Sequence, residues 1–103
     1  MAAILFVRVK SKLDQAELER RLIERRPHFK EVPGLIQKIY GRDNSTGDYC
    51  GVYFFKDQNA LSKFKETELA QTIPKAYEAT ETRKEVYEML YPLYPERGPI
   101  TEL

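Results

Sequence analysis

The sequence predicts an α+β fold in which one antiparallel sheet carries its helices on one side, in the order β-α-β-β-α-β. Two observations support this prediction. Several segments have apolar side chains on both of their alternating faces, which indicates strands that are covered on both sides. Between them, apolar residues recur at spacings of three and four, as is typical of amphipathic helices. This order of elements is that of a ferredoxin-like sandwich.

A β-hairpin over residues 32–57 is the central feature of the prediction. Pro33 and Gly34 begin it, because proline disfavours helix for the residue before it and glycine permits a sharp change of direction. A polar turn at residues 44–47 then separates two apolar strands. This pattern is typical of a hairpin.

The predicted register of this hairpin sorts its side chains onto two faces. If Asp43 faces Asp48, Tyr40 lies opposite Gly51, where a large ring can shield an empty position. The tyrosine face then carries Ile36, Lys38, Tyr40, Arg42, Tyr49, Tyr53 and Phe55, and the aliphatic face carries Leu35, Gln37, Ile39, Cys50, Val52 and Phe54.

The first strand and the first helix precede the hairpin. An apolar run over residues 3–10 predicts a central strand. Asp14 is suited to cap the helix that follows, because its carboxylate can accept a hydrogen bond from a backbone N–H of the first turn. Leu18 and Leu22 supply the apolar stripe. Pro27 is expected to end this helix, since proline cannot continue the hydrogen-bond ladder.

The second half of the chain supplies another helix and another strand. Asp57 is suited to cap the second helix. A short helical turn over residues 68–73 is expected to end at Pro74. Residues 82–91 fit a helix and a strand about equally, and their β-branched and aromatic content favours the strand. Residues 92–103 are expected to form an extended tail because of their three prolines.

Composition restricts the class of protein. The 103 residues form one domain. The net charge of +1, with acidic and basic residues interspersed, supplies no strong field for nucleic acid or an anionic membrane. Cys50 is the only cysteine, so no internal disulfide can form and a cytoplasmic location is expected. The first apolar run is too short for a signal peptide or a membrane span.

Two helices can cover only one face of a four-stranded sheet. The other apolar face then needs a partner, and a second copy of the chain is the simplest one, so a homodimer through the sheet is expected. The sequence favours the aliphatic face as the one under the helices and the tyrosine face as the subunit interface. The tail after Tyr91 is expected to lie across the partner subunit.

The run VPGLIQKIYGRD, followed by the turn and by GVYFFKDQNALSKF, resembles the YdhR-type monooxygenases of the antibiotic-biosynthesis monooxygenase (ABM-like) superfamily. The shared pattern is a Pro-Gly pair before the second strand and an aromatic-x-Asp sequence between the third strand and the second helix. The likeness covers residues 31–88. Its content is structural, so it predicts the fold more strongly than the activity.

The resemblance implies a homodimer whose two sheets pack face to face into an α+β barrel, with a pocket between sheet and helices in each subunit. It also implies oxidation of aromatic polyketides or quinols by molecular oxygen without metal or flavin, so no cofactor is expected. A haem-degrading branch uses an Asn on the first strand, a Trp on the second helix and a His after it. This chain has no Trp and no Asn in that strand, which argues against haem degradation.

His28 is the only histidine, and we predict it as the catalytic base that takes a proton from a phenolic substrate. The simpler alternative is a histidine at a helix end without a catalytic role. Phe64, on the inner stripe of the second helix, is expected to border the same cavity. Gln37, Phe54 and Tyr77 complete the predicted substrate-binding set. With one His and one Cys in the chain, no transition-metal site is expected.

Two functions remain open at this point. One is a cofactor-independent monooxygenase-like protein acting on an aromatic or quinone-like small molecule. The alternative is a non-catalytic, dimeric small-molecule-binding or stress-related module, since no constellation of residues requires catalysis. The third strand also weakly resembles an RNA-recognition motif, but Thr46 stands where that signature needs a basic residue. We therefore expect no nucleic-acid partner.

Overall fold

A single antiparallel sheet organises the computed structural model, which describes residues 2–98. Its strands lie in the order β2-β3-β1-β4, which confirms the ferredoxin-like α+β fold. The last five residues of the predicted tail lie outside the described range. The elements are β1 (Ala3–Ser11), α1 (Gln15–Lys30), β2 (Leu35–Arg42), β3 (Tyr49–Phe55), α2 (Gln58–Lys65), α3 (Glu68–Gln71), α4 (Ile73–Ala76), β4 (Ala79–Glu88) and a 3-10 helix, Pro95–Arg97.

The two central strands, β1 and β3, build the core. Burial alternates along both, so that every second side chain is inaccessible to solvent. Leu5 pairs with Tyr53 and Val7 with Gly51, which places the buried side chains of both strands on the same side of the sheet. The buried core residues of the two strands are Ala3, Leu5, Val7, Val9, Tyr49, Tyr53 and Phe55.

The register predicted for the hairpin is confirmed. The Asp43 N–H donates to the Asp48 carbonyl oxygen at 2.8 Å, and Tyr40 lies opposite Gly51. The groups nearest to the side-chain position of Gly51 are nevertheless others. A Cβ placed there would lie 2.9 Å from the Tyr49 hydroxyl and 3.2 Å from Cε of Lys38. The space above this glycine is therefore shared by Tyr49, Tyr53 and Lys38.

The assignment of the two faces was wrong: the helices cover the tyrosine face and leave the aliphatic face open. Strand pairing explains this outcome. The wholly apolar side of β1 aligns with the tyrosine face, whereas Arg8 pairs with Cys50 on the open side. Arg8 remains partly accessible there and forms ion pairs with Asp43 at 2.8 Å and Asp48 at 2.9 Å. A charged side chain of β1 thus marks the side that no helix covers.

A β-bulge interrupts β2 at its first residues. Leu35 pairs with Phe55 and Gln37 with Phe54, so Ile36 has no partner of its own. The extra residue turns Leu35 toward the core, where it packs against buried side chains, rather than onto the aliphatic face as predicted. Ile36 is left 54% exposed at the edge of the sheet.

Helix α1 begins as predicted and ends later than predicted. The Asp14 carboxylate accepts a hydrogen bond from the Glu17 N–H at 2.9 Å. Pro27 lies inside the helix rather than at its end. Its missing N–H would have bonded the carbonyl of Ile23, on the exposed side of the helix, where water can satisfy that oxygen. Continuing the helix brings Phe29 into the core, where it is 3% exposed.

The elements after β3 follow their predicted order with shifted ends. Asp57 caps α2 by accepting a hydrogen bond from the Ala60 N–H at 2.8 Å. The predicted turn over residues 68–73 forms the two short helices α3 and α4, and Pro74 lies in the first turn of α4 instead of ending the segment. Proline is tolerated there because N–H groups of a first turn have no helical acceptor.

The strand predicted near residues 82–91 is confirmed and covers Ala79–Glu88. The tail then crosses the aliphatic face of its own sheet, with Met89 and Tyr94 lining a groove above Phe54. It is not wholly extended, because it contains the 3-10 helix. None of the helices within residues 2–98 has the length and apolar character needed to cross a membrane.

Gly34, directly before β2, lies against Ala60 of α2, and substitutions at this glycine test that contact. Its φ is +78°, and an added Cβ would lie 2.6 Å from Cβ of Ala60. We expect Gly34→Ala to lower the free energy of unfolding by about 2–4 kcal/mol, from backbone strain and a clash. Gly47 has φ +80° and open space around it, so Gly47→Ala should cost only the strain, about 1–2 kcal/mol. Urea unfolding of both variants measures the difference; equal losses would contradict the close packing at Gly34.

Candidate functional site

Aromatic rings fill the space between the tyrosine face and the helices. Tyr53 lies at the centre, with its ring centroid 6.0 Å from Phe29 and 5.3 Å from Phe64. Tyr49 and Tyr77 extend the cluster toward the other end of the sheet, 5.6 Å apart in an edge-to-face contact. Such contacts are favourable for aromatic pairs. They make the interior under α1 rigid and largely apolar.

Lys38 points from β2 into this aromatic cluster. Its Nζ lies 3.4 Å from the ring centroid of Phe29, 4.3 Å from Tyr40 and 4.6 Å from Tyr53. The nitrogen is inaccessible to solvent and has no hydrogen-bond partner within residues 2–98. Within the described part of the chain, its charge is stabilised by three ring faces and by no hydrogen-bond acceptor. Such an arrangement is unusual, because a buried ammonium is normally paired with an acceptor.

Burial lowers the pKa of Lys38 to about 7, and repulsion from the guanidinium of Arg25 adds to the effect. Removal from water disfavours the charged form of an amine. The attraction of the rings for a cation acts in the opposite direction and offsets part of that loss. Lys38 is thus a group whose charge can change near neutral pH.

Arg25 supplies a second cation to the cluster from α1. Its Nη2 donates to the carbonyl oxygen of Leu69 at 2.9 Å, which ties the guanidinium to α3. The guanidinium carbon lies 5.8 Å from the ring centroid of Phe29 and 5.4 Å from that of Tyr77. Nε of Arg25 and the hydroxyl of Tyr77 are buried and make no hydrogen bond of regular geometry in the described part of the chain, although the guanidinium of Arg25 interacts with this phenol and opposes the rise in its pKa. Polar atoms without partners at one site are typical of a place where a ligand binds.

A cleft runs between α1 and the β2–β3 hairpin, beside these groups. Its larger section has a volume of about 560 Å³ and opens near the hairpin turn. Glu19 and Arg42 form an ion pair of 2.9 Å that joins α1 to β2 at this section. The walls are mainly apolar, with polar groups at the rim, as is usual for small-molecule sites. The apolar wall consists of Leu13, Leu18, Leu22, Tyr40 and Tyr49.

The smaller section of the cleft contains Lys38 and has a volume of about 310 Å³. Tyr40 borders both sections, so the two are neighbours along β2. Phe29 and Leu35 form its apolar side, and Arg26 stands on α1 above it. An aromatic molecule in this cleft would lie against rings and close to a cation.

The tyrosines around the cleft remain protonated near neutral pH. Burial raises the pKa of Tyr77 to about 12, and it also raises the pKa values of Tyr40, Tyr49 and Tyr53. A buried phenol resists ionisation because the phenolate loses its hydration. These hydroxyls can therefore donate hydrogen bonds but do not serve as bases.

The structure separates the predicted site residues. Tyr77 is buried in the aromatic cluster, and Phe64 packs inside the core. Gln37 and Phe54 lie on the open aliphatic face, opposite to the side on which they were expected, and line the groove under the tail. Gln37 also borders the smaller section of the cleft. His28 is exposed on α1, and its neighbour Phe29, not His28, reaches Phe64. The proposed pairing of His28 and Phe64 at one cavity therefore finds no support in this placement.

The sequence pattern singles out neither Lys38 nor Arg25 as a site residue. Lys38 was placed on the tyrosine face correctly, but that face was assigned to a subunit interface, where a lysine is unremarkable. The available signal was Gly51 in the neighbouring strand, because a glycine in a central strand leaves room for a long side chain. Arg25 gave no signal, since a basic residue on a helix is usually solvated.

No group of three or more His, Cys, Asp or Glu side chains in residues 2–98 could hold a metal ion. The cleft is instead lined by rings, aliphatic side chains and charged groups, with the carboxylates of Glu19 and Asp48 at its larger section and only cations at its smaller one. Its chemistry suits an aromatic ligand that carries an acidic oxygen.

Sequence and structure comparisons agree with this architecture. The family model described as "Putative mono-oxygenase ydhR" matches residues 4–94. The chain belongs to this family. Among curated proteins, none matches the sequence significantly. The ydhR match covers both strands of the hairpin, α1 and β4, so it includes every element that borders the cleft.

Solved structures share the fold at low sequence identity. SnoaB, a cofactor-independent oxygenase from Streptomyces nogalater, is similar with a TM-score of 0.73 at 14% identity, over 89% of this chain and 96% of that one. Rv0793 from Mycobacterium tuberculosis gives 0.72 at 11% identity, over 90% and 99%. A "putative antibiotic biosynthesis monooxygenase" from Deinococcus radiodurans gives 0.71 at 14%, over 90% and 96%. These likenesses establish the fold of the ydhR family member described here.

Lys38→Met tests the burial of the amine. Because the pKa of Lys38 in the folded state, about 7, lies below that of an unfolded lysine, the folded state binds fewer protons above pH 7. The cost of the buried charge is thus full below pH 7 and declines as the pH rises toward the unfolded pKa. We expect Lys38→Met to be more stable than wild type at pH 6, with the advantage shrinking by up to about 1.4 kcal/mol per pH unit between pH 7 and 9.

Chemical unfolding at several pH values measures this difference. Comparison with wild type cancels the contributions of the tyrosines, which are the same in both proteins. A constant difference in the free energy of unfolding across that range would show that Lys38 does not change its charge there.

Proposed function

We propose that this protein is a cofactor-independent monooxygenase that oxidises a phenolic or quinol-like aromatic molecule in the cleft between α1 and the hairpin. Its membership of the ydhR family supports a monooxygenase-like role. The cleft has the volume and the apolar walls for one aromatic molecule. The fold is that of a solved cofactor-independent oxygenase.

The proposed reaction takes its electrons from the substrate. Oxidation of a phenol to a quinone by one dioxygen molecule places one oxygen atom in the new carbonyl group and releases the other as water. The four electrons that reduce dioxygen come from the ring, so the balance needs no other reductant. The protein has to bind the ring, exclude water and favour ionisation, because a phenolate gives up electrons more readily than a phenol.

The observation that carries this proposal is the combination of an apolar cleft with one unpaired buried amine. Nζ of Lys38 has no hydrogen-bond partner among the described residues, and Lys38 lines the smaller section of the cleft. A ligand oxygen could satisfy this amine, whereas a purely apolar ligand could not.

We further propose that two copies of the chain pack through the open aliphatic face. Ile4 and Phe6 of β1 lie there beside Val52 and Phe54 of β3, and the side chains are only half-buried in a single chain. A continuous apolar surface on a sheet of this size is typical of an interface. The sequence also predicts a homodimer through the sheet, but with the tyrosine face as the contact, whereas the proposed contact is the aliphatic face.

Oxygen uptake tests the proposed activity. We expect the purified protein to consume one dioxygen molecule per molecule of product with at least one member of a panel of hydroquinones and polyphenols. With ¹⁸O₂, one labelled atom should appear in the product. Ligand-induced stabilisation without oxygen uptake would overturn the enzymatic proposal and favour the non-catalytic binding module.

A pair of adjacent variants locates the site. Leu22 lines the larger section of the cleft, whereas Ile23 is 61% exposed on the other side of α1. Leu22→Trp should fill the cleft and weaken substrate binding by roughly tenfold or more, equivalent to about 1.4 kcal/mol. Ile23→Trp should leave KM unchanged. Equal KM values for the two variants would place the site elsewhere.

Light scattering tests the proposed dimer. Wild type should be dimeric at micromolar concentration. Val52→Lys, on the open face, should shift it to monomers, because burial of an unpaired ammonium is unfavourable. Val86→Lys is the control, since Val86 pairs with Leu5 on the helix side and is 42% exposed. A monomeric wild type, or a dimeric Val52→Lys variant, would contradict the sheet-to-sheet contact.

A further inference from the structure

Lys38 occupies a position that its structural surroundings do not explain. Its amine lies among three rings, out of contact with solvent, and no acceptor from residues 2–98 reaches it. A methionine would fill the same volume without the cost of burying a charge. The missing Cβ of Gly51 leaves room for this packing, because a Cβ there would lie 2.9 Å from the Tyr49 hydroxyl and 3.2 Å from Cε of Lys38. The glycine thus accommodates the lysine together with the tyrosines around it.

We propose that Lys38 turns its amine from the ring cluster into the smaller section of the cleft, which this residue lines, accepts the proton of a phenolic substrate there and holds the resulting phenolate oxygen at its Nζ. This inference rests on the proposed function, since it concerns the substrate of that same cleft. It adds that the phenolic substrate of that cleft is bound as its anion.

The charges around Lys38 favour an anion. On α1, Arg25 lies within the aromatic cluster and Arg26 and Lys30 line the smaller section of the cleft. On the strands and at the end of α4, the facing titratable groups are Tyr40, Tyr53 and Tyr77, all protonated near neutral pH. No carboxylate lines this section among the residues that the structure describes. A phenolate would thus be the negative partner that the cluster lacks.

The proton transfer is balanced within the complex. The O–H bond of the phenol breaks, its electron pair stays on oxygen, and a new N–H bond forms on the neutral amine of Lys38. The products are a phenolate and an ammonium in direct contact. The ammonium then donates to the oxygen, and the low polarity of the surrounding rings strengthens that bond. Lys38 is suited to this exchange because its pKa, about 7, lies near the working pH.

The remaining lysines are not equivalent. Lys84 lies on the same side of the sheet, opposite Val7 in β4, but it is exposed. An exposed ammonium keeps its hydration and attracts an anion only weakly. Lys84→Met therefore removes the same group from the same face of the sheet without touching the cleft, which makes it the matched control.

The test uses para-nitrophenol, whose phenolate absorbs visible light and whose neutral form does not. At pH 7, where about half of Lys38 is a neutral amine, the wild type should bind the probe and convert it fully to the coloured phenolate. Lys38→Met should bind it at least tenfold more weakly and without the colour change, whereas Lys84→Met should behave as wild type. The methyl ether para-nitroanisole, which cannot ionise, should bind equally to wild type and Lys38→Met.

Two results would overturn the inference: a bound probe that stays protonated in the wild type, or a colour change that persists in Lys38→Met. Lys38→Arg is the second variant, because it retains the cation but cannot accept a proton at neutral pH. It should bind the phenolate and lose the pH dependence of oxygen uptake. The binding assay requires no turnover, so ionisation without oxygen uptake refutes only the monooxygenase. Oxygen uptake by Lys38→Met with an unchanged pH profile refutes only the role of Lys38.

Discussion

The alignment of β1 with β3 is the constraint on which the structure depends. Side chains of a strand alternate between the two faces of the sheet, so one register decides which residues become the core. Here the pairing of Val7 with Gly51 places the wholly apolar side of β1 next to the tyrosine face. The helices cover this combined surface. The position of the cleft, the aromatic cluster and the open face all follow from that pairing.

The second organising feature is an amine kept in an apolar interior. A buried lysine without an acceptor lowers stability, and this cost is usually avoided in a core. Cores that keep such a group often do so at functional sites, where an altered pKa is useful. The surrounding rings make the cost tolerable by presenting their faces to the ammonium. Arg25 is stabilised differently, since the Leu69 carbonyl accepts from it.

Much of the fold could be predicted because it depends on local signals. Asp14 and Asp57 indicated the starts of two helices, and the hairpin register followed from its turn. The choice of face could not be predicted from the hairpin alone, because it depends on how β1 pairs with β3 across 40 residues or more. The greater aliphatic content of one face of the hairpin does not decide which face the helices cover. Tyrosines suit an interior when their hydroxyl groups reach a cleft.

The site was harder to predict for the same reason. His28 attracted attention by its chemistry, but its side chain lies on the outside of α1. The helix continued through Pro27 because Phe29 is buried, and the rotation of that last turn decides which side chain enters the core. Lys38 acquires its properties only from rings that three separate elements bring together. Residue type therefore indicated a possible base, and tertiary packing determined which residue has the altered pKa.

The bulge at the start of β2 lies between the cleft on one side of the sheet and the groove on the other. Ile36 is the extra residue there, and its side chain borders both the section of the cleft that contains Lys38 and the groove on the aliphatic face. A change in its rotamer that enlarges one of these spaces alters the outline of the other. Whatever packs against the aliphatic face, whether the tail or another subunit, thus shares one wall with the ligand. Gln37, the next residue of β2, lines both spaces as well, so the two surfaces share a wall of two neighbouring residues.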